Sequence, residues 1–301
     1  MSIRKYGLLG YPLGHSLSHF IHRRIFELCG ISGCEYELYE VKPDELSLKG
    51  GAIQELSGFN VTIPYKTQII PFLDRLDPGA EHYGSVNCVK FDEANQNYIG
   101  YNTDGYGFKK SIEELGVSLN SKILLLGCGG TGRMMAFEAI KAGADLTLAI
   151  RRSPTAEKAA AKLSGELREI TGEFFAKTSQ LSLNNPAKMR ITYADKLNLT
   201  NSYDLLLNAT PCGMYPETDE IPIAPDIVGK VKYLFDAVYN PSPTRLIIEG
   251  QKRGVKTLGG MTMLVEQAAM AETIWHSENN LQISKNIIKM IISECEQELL
   301  V

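Results

Sequence analysis

Apolar and polar positions along this chain change character near residue 122. Before it the apolar runs are short. Residues 5–10 read as a short strand. Ile21, Ile25 and Leu28 then recur at helical spacing, with Ser18 a candidate N-cap where that helix begins. Residues 34–41 alternate apolar and polar, as a half-exposed strand does. A helix is expected around 43–56, then a strand from Gly58 that Pro64 ends. Two further strands, 84–91 and 97–101, are joined by the polar run 92–96 as a hairpin.

Beyond residue 122 strands and helices alternate. Residues 123–126 have no polar face, as in a parallel strand buried on both sides. Glycine-rich 127–132 and helix-forming 134–140 follow, and 145–150 is the next strand. Residues 154–200 are expected to hold two helical segments, with 179–188 as a polar surface loop rich in breakers. Strands are expected at 204–208, 233–238 and 254–258. Two helices close the chain, one with Leu264, Ala268, Ala271 and Trp275 on one face. The other, near 281–299, carries Ile287, Ile291, Cys295 and Leu299.

With 301 residues the chain has room for two domains, each with its own core. Hydrophobic residues at 44% and charged residues at 22% describe an ordinary soluble globular protein. A net charge of −4 without a basic run gives no reason to expect a nucleic-acid partner. The first residues lead straight into a strand, so no signal peptide is expected, and no apolar stretch reaches membrane-spanning length. The six cysteines are scattered. They read as reduced, mostly buried thiols of a cytoplasmic protein, neither a disulfide frame nor a zinc site.

The candidate chemistry sits where predicted strands end. Gly127, Gly129, Gly130, Thr131 and Gly132 form a strand–glycine–helix turn of the kind that lets backbone approach a pyrophosphate at a helix N-terminus. Its Gly-x-Gly-Gly-x-Gly spacing departs from the usual fingerprint, and an ordinary tight turn stays open as the alternative. At the end of the next strand an NAD site would place an acidic residue. Here stand Arg151, Arg152 and Ser153, suited to a 2′-phosphate. In the N-terminal half, Ser16 and Ser18 fall where a helix begins, a place to hold a small carboxylate or simply to cap. His15 is more often structural than catalytic. Asn60, Thr62 and Lys66 cluster at a strand exit; a lysine is usually a solvated charge, but this company would fix its loop. Asn87 and Asn102 flank the hairpin, and Asp104 either caps a helix near Gly105 or joins that polar cluster.

Seven strings in order then resemble the shikimate dehydrogenase family over nearly the whole chain. They are Gly10-Tyr-Pro12-Leu-Gly-His15-Ser16-Leu-Ser18, Asn60-Val-Thr62-Ile-Pro64-Tyr-Lys66, Gly84-Ser-Val-Asn87 and Gly100-Tyr-Asn102-Thr103-Asp104-Gly105. Asn208-Ala-Thr210-Pro-Cys-Gly213-Met214, Tyr239-Asn-Pro241 and Gly260-Met-Thr-Met-Leu-Val-Glu-Gln267 complete the set. The resemblance implies an α/β protein of two domains with the active site in a cleft. Residues 1–104 and 261–301 would form the substrate domain, and 105–260 a Rossmann-type, doubly wound NADP-binding domain. It implies NADP(H) as cofactor, no metal, and reversible reduction of 3-dehydroshikimate to shikimate on the route to chorismate and the aromatic amino acids. Ser16 and Ser18 would hold the substrate carboxylate. Asn60, Thr62, Asn87, Asp104 and Gln267 would hold ring hydroxyls, with Tyr239 beside them. Thr210, Met214 and Gly260 would join the glycine turn and the arginines around the cofactor.

In that scheme Lys66 and Asp104 flank the reacting carbonyl. A positioned ammonium supplies charge and a proton as the oxygen turns negative, typically worth ~10²–10⁴-fold. Free lysine titrates at about 10.4, so it starts as the acid in reduction and must lose its proton in oxidation. Four positions depart from the family pattern: His19, Arg23, Cys88 and Arg245. Because His19 and Arg23 lie near the carboxylate loop, shikimate, quinate and an amino analogue all stay open as substrates. An NAD-preferring quinate/shikimate dehydrogenase and a non-catalytic binding or regulatory homologue stay open as alternatives, as do monomer and homodimer.

Overall fold

The structure, a computed structural model, describes residues 3–14, 16–46, 52–177, 188–197 and 202–299. The chain divides into two compact units, Met1–Gly107 with Leu264–Val301, and Phe108–Met263.

The first unit is built on β1 (Arg4–Gly10), whose last five residues are all buried. It pairs in parallel with β2 (Cys34–Glu40) on one side and β3 (Gly58–Val61) on the other, with α1 (Ser18–Cys29) as the crossover between β1 and β2. The sheet continues through β4 (Arg75–Leu76), β5 (Cys88–Asp92) and β6 (Asn97–Tyr101) in the order β2-β1-β3-β5-β6-β4. The short α2 (Pro78–Tyr83) is capped by Asp77, which accepts from two backbone N–H groups. The expected hairpin is β5–β6, antiparallel, with Cys88 opposite Tyr101. In place of a helix over 43–56 there are two short 3-10 turns, Pro43–Glu45 and Ala52–Glu55. The rest of that expected helix, 47–51, lies outside the described residues.

The helix α3 (Asp104–Leu115) leads into the second unit. Its strands are β7 (Lys122–Leu126), β8 (Asp145–Ile150), β9 (Lys188–Tyr193), β10 (Tyr203–Asn208), β11 (Val231–Asp236) and β12 (Lys256–Leu258). All five pairings are parallel, in the order β12-β11-β10-β7-β8-β9. That is the doubly wound order, in which the winding reverses between β7 and β10 and ligands bind beyond the strand ends at that point. Its helices are α4 (Gly130–Lys141), α5 (Pro154–Lys177), α6 (Pro225–Val228) and α7 (Arg245–Lys252). The two helical segments expected over 154–200 are one long α5 followed by β9, and Lys188, placed in a loop by its neighbours, begins that strand. Residues 178–187 lie outside the described residues.

The chain closes with α8 (Met261–Trp275) and α9 (Lys285–Glu298), the latter capped by Ser284. The buried face of α9 is Ile288, Ile291 and Cys295, one position away from the expected Ile287. All six cysteines are free, but only Cys88 and Cys295 are buried; the other four are half-buried, correcting the expectation of mostly buried thiols. Among the described residues no helix is long and apolar enough to cross a membrane.

One polar cluster interrupts the core of the first unit. Glu272 on α8 is fully buried, with Oε1 2.5 Å from His22 Nδ1 and Oε2 3.2 Å from His276 Nε2. Burial pushes the Glu272 carboxyl up to about 7 from 4.5 and the His22 imidazole down to about 3 from 6.5. A carboxyl raised in the folded state contributes stability in full below about pH 4.5 and loses it as pH rises through about 7. A histidine lowered in the folded state contributes above about pH 6.5 and loses it as pH falls toward about 3. Glu272→Gln removes only the first dependence. Its unfolding temperature, compared with that of the parent chain, is expected to gain steadily between about pH 5 and pH 8. A pH-independent difference in thermal denaturation contradicts this charge assignment.

Candidate active site

The centre of the site is a lysine held by a carboxylate. Lys66 follows β3 in a run of tight turns, its carbonyl accepting from Val86 N–H at 2.7 Å. Its Nζ lies 2.6 Å from Asp104 Oδ2, with the two side chains 29% and 16% exposed, so the pair is sheltered yet open to a ligand. Asp104 is the first residue of α3, but its carboxylate is not the cap. Asn102 Oδ1 accepts the Asp104 N–H at 3.1 Å, and Asn102 is itself held by the Ser85 carbonyl and hydroxyl. This leaves Asp104 Oδ2 to Lys66 and Oδ1 to Asn87 Nδ2 at 2.8 Å.

Asn87 is the hub. It precedes β5 and donates its N–H to the Tyr101 carbonyl at 3.1 Å, which sets it against Thr103, whose N–H donates to Asn87 Oδ1 at 2.7 Å. Asn87 Nδ2 also faces Gln267 Oε1 at 3.1 Å, and Gln267 is fixed by donating Nε2–H to the Leu264 carbonyl. Asn60, buried at the end of β3, donates to the Asn87 carbonyl at 3.1 Å and accepts from the Tyr36 hydroxyl at 2.8 Å. The structure thus links Lys66, Asp104, Asn87, Gln267 and Asn60 through direct contacts. Thr62, next to β3, donates its N–H to the Leu9 carbonyl, leaving its half-buried side chain at the strand exit. Thr103 and Asn102 carried no role in the sequence reading, although both lie inside a polar string at a strand end, the signal that marked Asp104.

Ser16 and Ser18 stand before and at the start of α1. Leu17, not Ser18, occupies the N-cap position; Ser18 is the first helical residue, and Ser16 Oγ accepts its N–H at 3.2 Å. His15 lies outside the described residues. Arg23 pairs with Glu27 one turn on and is exposed, and His19 is half-buried. Cys88 is buried in β5. Arg245 is the first residue of α7 behind the Thr244 cap, a position where proline is favoured but not required.

In the second unit the glycine turn follows β7, beside β10, at the reversal of the sheet. Gly127 has φ +89°, and a Cβ on Gly132 would stand 2.3 Å from the Gly127 carbonyl oxygen, so both glycines are needed for the turn itself. Gly129 and Gly130 differ: nothing lies within 4 Å of a Cβ built on either, and α4 begins there without a side-chain cap. Open space over free N–H groups at a helix start suits a pyrophosphate. Thr210 lies across the reversal, its Cγ2 against Gly127 and its hydroxyl on Asn208 Oδ1 at 2.7 Å. Asn208 in turn bonds the buried Asp236, which also accepts from Thr244 at 2.6 Å. Burial raises the Asp236 carboxyl, and the hydrogen bonds from Thr244, Val238 N–H and Asn208 oppose this.

Arg151 and Arg152 are both exposed beyond the end of β8. Arg152 stacks on Tyr193 at 4.1 Å and bonds Asp195 through Nε at 2.8 Å, leaving its outer guanidinium edge free of that contact. Ser153 Oγ accepts from Ala156 N–H and so caps α5. Met214 is exposed, Tyr239 is half-buried after β11, and Gly260 meets the Ala237 carbonyl so closely that any Cβ would clash. Among the described residues no group of three His, Cys, Asp or Glu is placed to hold a metal ion.

A doubly wound sheet with a glycine turn at its reversal, together with an α/β unit carrying a lysine–carboxylate pair among amides, defines a two-domain protein of the dehydrogenase type. Residues 8–89 match the family model described as the shikimate dehydrogenase substrate binding domain. The chain is 35% identical over 273 residues to a shikimate dehydrogenase (NADP(+)) of Methanococcus maripaludis, covering 89% of this chain and 90% of that protein. A shikimate dehydrogenase solved in complex with NADP+ superposes with a TM-score of 0.80 at 32% identity, covering 97% of this chain and 95% of that one. The Thermus thermophilus shikimate 5-dehydrogenase solved with NADP(H) and shikimate gives 0.77 at 26% identity, covering 97% and 99%. The chain belongs to the shikimate dehydrogenase family.

The glycines separate by role. Gly132→Ala pushes a methyl into backbone and is expected to cost about 1–3 kcal/mol, seen as a lower unfolding temperature by circular dichroism. Gly129→Ala, at φ −68° with open space around it, is expected to leave that temperature unchanged. Equal destabilisation by both refutes the assignment.

Proposed function

We propose that this chain catalyses the NADP-dependent, reversible reduction of 3-dehydroshikimate to shikimate. The observation that carries the reading is the sheltered contact of Lys66 Nζ with Asp104 Oδ2 at 2.6 Å. A carboxylate and an ammonium this close, ringed by Asn87, Gln267 and Asn60, suit a ligand that bears one reacting oxygen and several hydroxyls. Family membership supports the same substrate class, and relatives named as NADP(+) enzymes support the cofactor.

In this proposal residues 1–104 and 261–301 form the substrate domain and 105–260 the NADP domain. Ser16 and Ser18 bind the substrate carboxylate at the start of α1. Asn60, Thr62, Asn87, Gln267 and Tyr239 hold the ring. Lys66 gives its proton to the carbonyl oxygen as charge develops there, and Asp104 fixes the ammonium and accepts from the neighbouring hydroxyl. In the oxidative direction Lys66 takes that proton back, so a deprotonated amine is required. NADPH, when bound, supplies the hydride. Gly127, Gly129, Gly130, Thr131 and Gly132 form its pyrophosphate cradle with Thr210, while Met214 and Gly260 border the site. Arg151, Arg152 and Ser153 meet the 2′-phosphate. The chain works in the cytoplasm, whose reducing conditions its free cysteines fit, as a monomer or a homodimer.

Two experiments test the roles. Lys66→Ala is expected to lower kcat by about 10²–10⁴-fold with a much smaller change in the shikimate KM, measured by steady-state kinetics. Loss confined to KM makes Lys66 a binding residue only. Arg152→Ala is expected to weaken NADP+ by at least about tenfold, the scale of a lost charge-assisted contact, and leave NAD+ unchanged in fluorescence titration. Equal loss with both cofactors contradicts the 2′-phosphate role.

A further inference from the structure

We infer that Tyr36 is a positioning residue for the substrate site, acting by fixing the orientation of Asn60. The inference rests on the proposal that Asn60 is a ligand of the substrate ring.

Register brings the two residues to one face of the sheet. β1 pairs Tyr6 with Tyr36 of β2 and Leu8 with Asn60 of β3, and residues two apart on a strand share a face. Tyr36 therefore reaches past β1 to Asn60, and its hydroxyl donates to Asn60 Oδ1 at 2.8 Å. Asn60 Nδ2 donates to the Asn87 carbonyl, which can only accept, so the amide has one permitted orientation. The His22 ring is also within hydrogen-bonding reach of the Asn60 side chain, so Oδ1 is held from the Tyr36 and His22 side, and one N–H of Nδ2 remains to meet an acceptor such as a hydroxyl oxygen. Without the Tyr36 hydroxyl, Asn60 Oδ1 loses the 2.8 Å hydrogen bond that fixes this end of the amide.

Tyr36 is itself immobilised. It is 1% exposed, and its ring stacks on His22 with centroids 4.0 Å apart and planes 7° from parallel. His22 is anchored by Glu272 at 2.5 Å, on the same helix α8 that carries Gln267. The phenol is also within hydrogen-bonding reach of Ser18. A buried strand position needs only the ring for packing, and phenylalanine would supply it. The hydroxyl serves the polar partners.

The test is a double-mutant cycle with Tyr36→Phe and Asn60→Ala, read as shikimate KM, NADP+ KM and kcat, with folding checked by circular dichroism at the assay temperature. Tyr36→Phe keeps the ring and the stack on His22. It is expected to raise the shikimate KM about fivefold, the scale of one hydrogen bond, with kcat within about twofold and the NADP+ KM unchanged. Asn60→Ala is expected to raise the shikimate KM by more, and adding Tyr36→Phe to it to change nothing further. If Asn60→Ala raises KM but Tyr36→Phe does not, or raises it equally in both backgrounds, the positioning role is overturned while Asn60 stays a ligand. If Asn60→Ala leaves KM unchanged, both readings fall. Should Tyr36→Phe melt below the assay temperature, the same cycle run as shikimate binding by calorimetry in the cold decides by the same criterion.

Discussion

The contact between Lys66 and Asp104 depends on a carboxylate that is not spent elsewhere. An aspartate at the start of a helix ordinarily turns back to cap it. Here Asn102 meets the Asp104 N–H, Ser85 holds Asn102, and Asp104 projects both oxygens outward. One oxygen takes the Lys66 ammonium and the other the Asn87 amide. The hairpin β5–β6 brings Asn87 N–H to the Tyr101 carbonyl at 3.1 Å, and from there the Asn87 amide reaches the carboxylate that holds the lysine.

The two units solve different problems with related means. In the first, polar side chains are buried and matched to one another, so a ligand meets donors and acceptors whose directions are already set. In the second, the polar groups offered are backbone ones. Gly127 and Gly132 let the chain turn tightly from β7 into α4, and Gly129 and Gly130 leave the uncapped helix start accessible. Below the turn, the buried Asn208–Asp236–Thr244 network holds the ends of β10 and β11 in line.

Much of this was legible in the residues. The apolar runs 123–126 of β7 and 205–207 of β10 have no polar face, and only a strand buried on both sides tolerates that. The strand-end clusters at Asn60 and Asp104 stood out because polar groups gathered where strands stopped. The misses have physical causes. β9 is an edge strand with Ile191 exposed, so it lacks the buried run that marks its neighbours. A helix is expected around 43–56, yet Pro43–Glu45 and Ala52–Glu55 are short 3-10 turns, and Gly50 and Gly51 between them are poor helix formers. Tyr36 lies in a stretch that reads only as a half-exposed alternating strand, and nothing in the local pattern singles out His22. Their bonds to Asn60 and Glu272 join positions 24 and 250 residues apart, beyond the reach of local pattern.

On the proposed reading, the Lys66 ammonium in the first unit and the arginines beyond β8 in the second serve the oxidation of shikimate with NADP+. The most direct measurement incubates the purified protein with shikimate or quinate, each with NADP+ or NAD+, and follows reduced nicotinamide by absorbance. Turnover is predicted to be fastest with shikimate and NADP+. No turnover in any of the four combinations, or a preference for quinate with NAD+, contradicts the account.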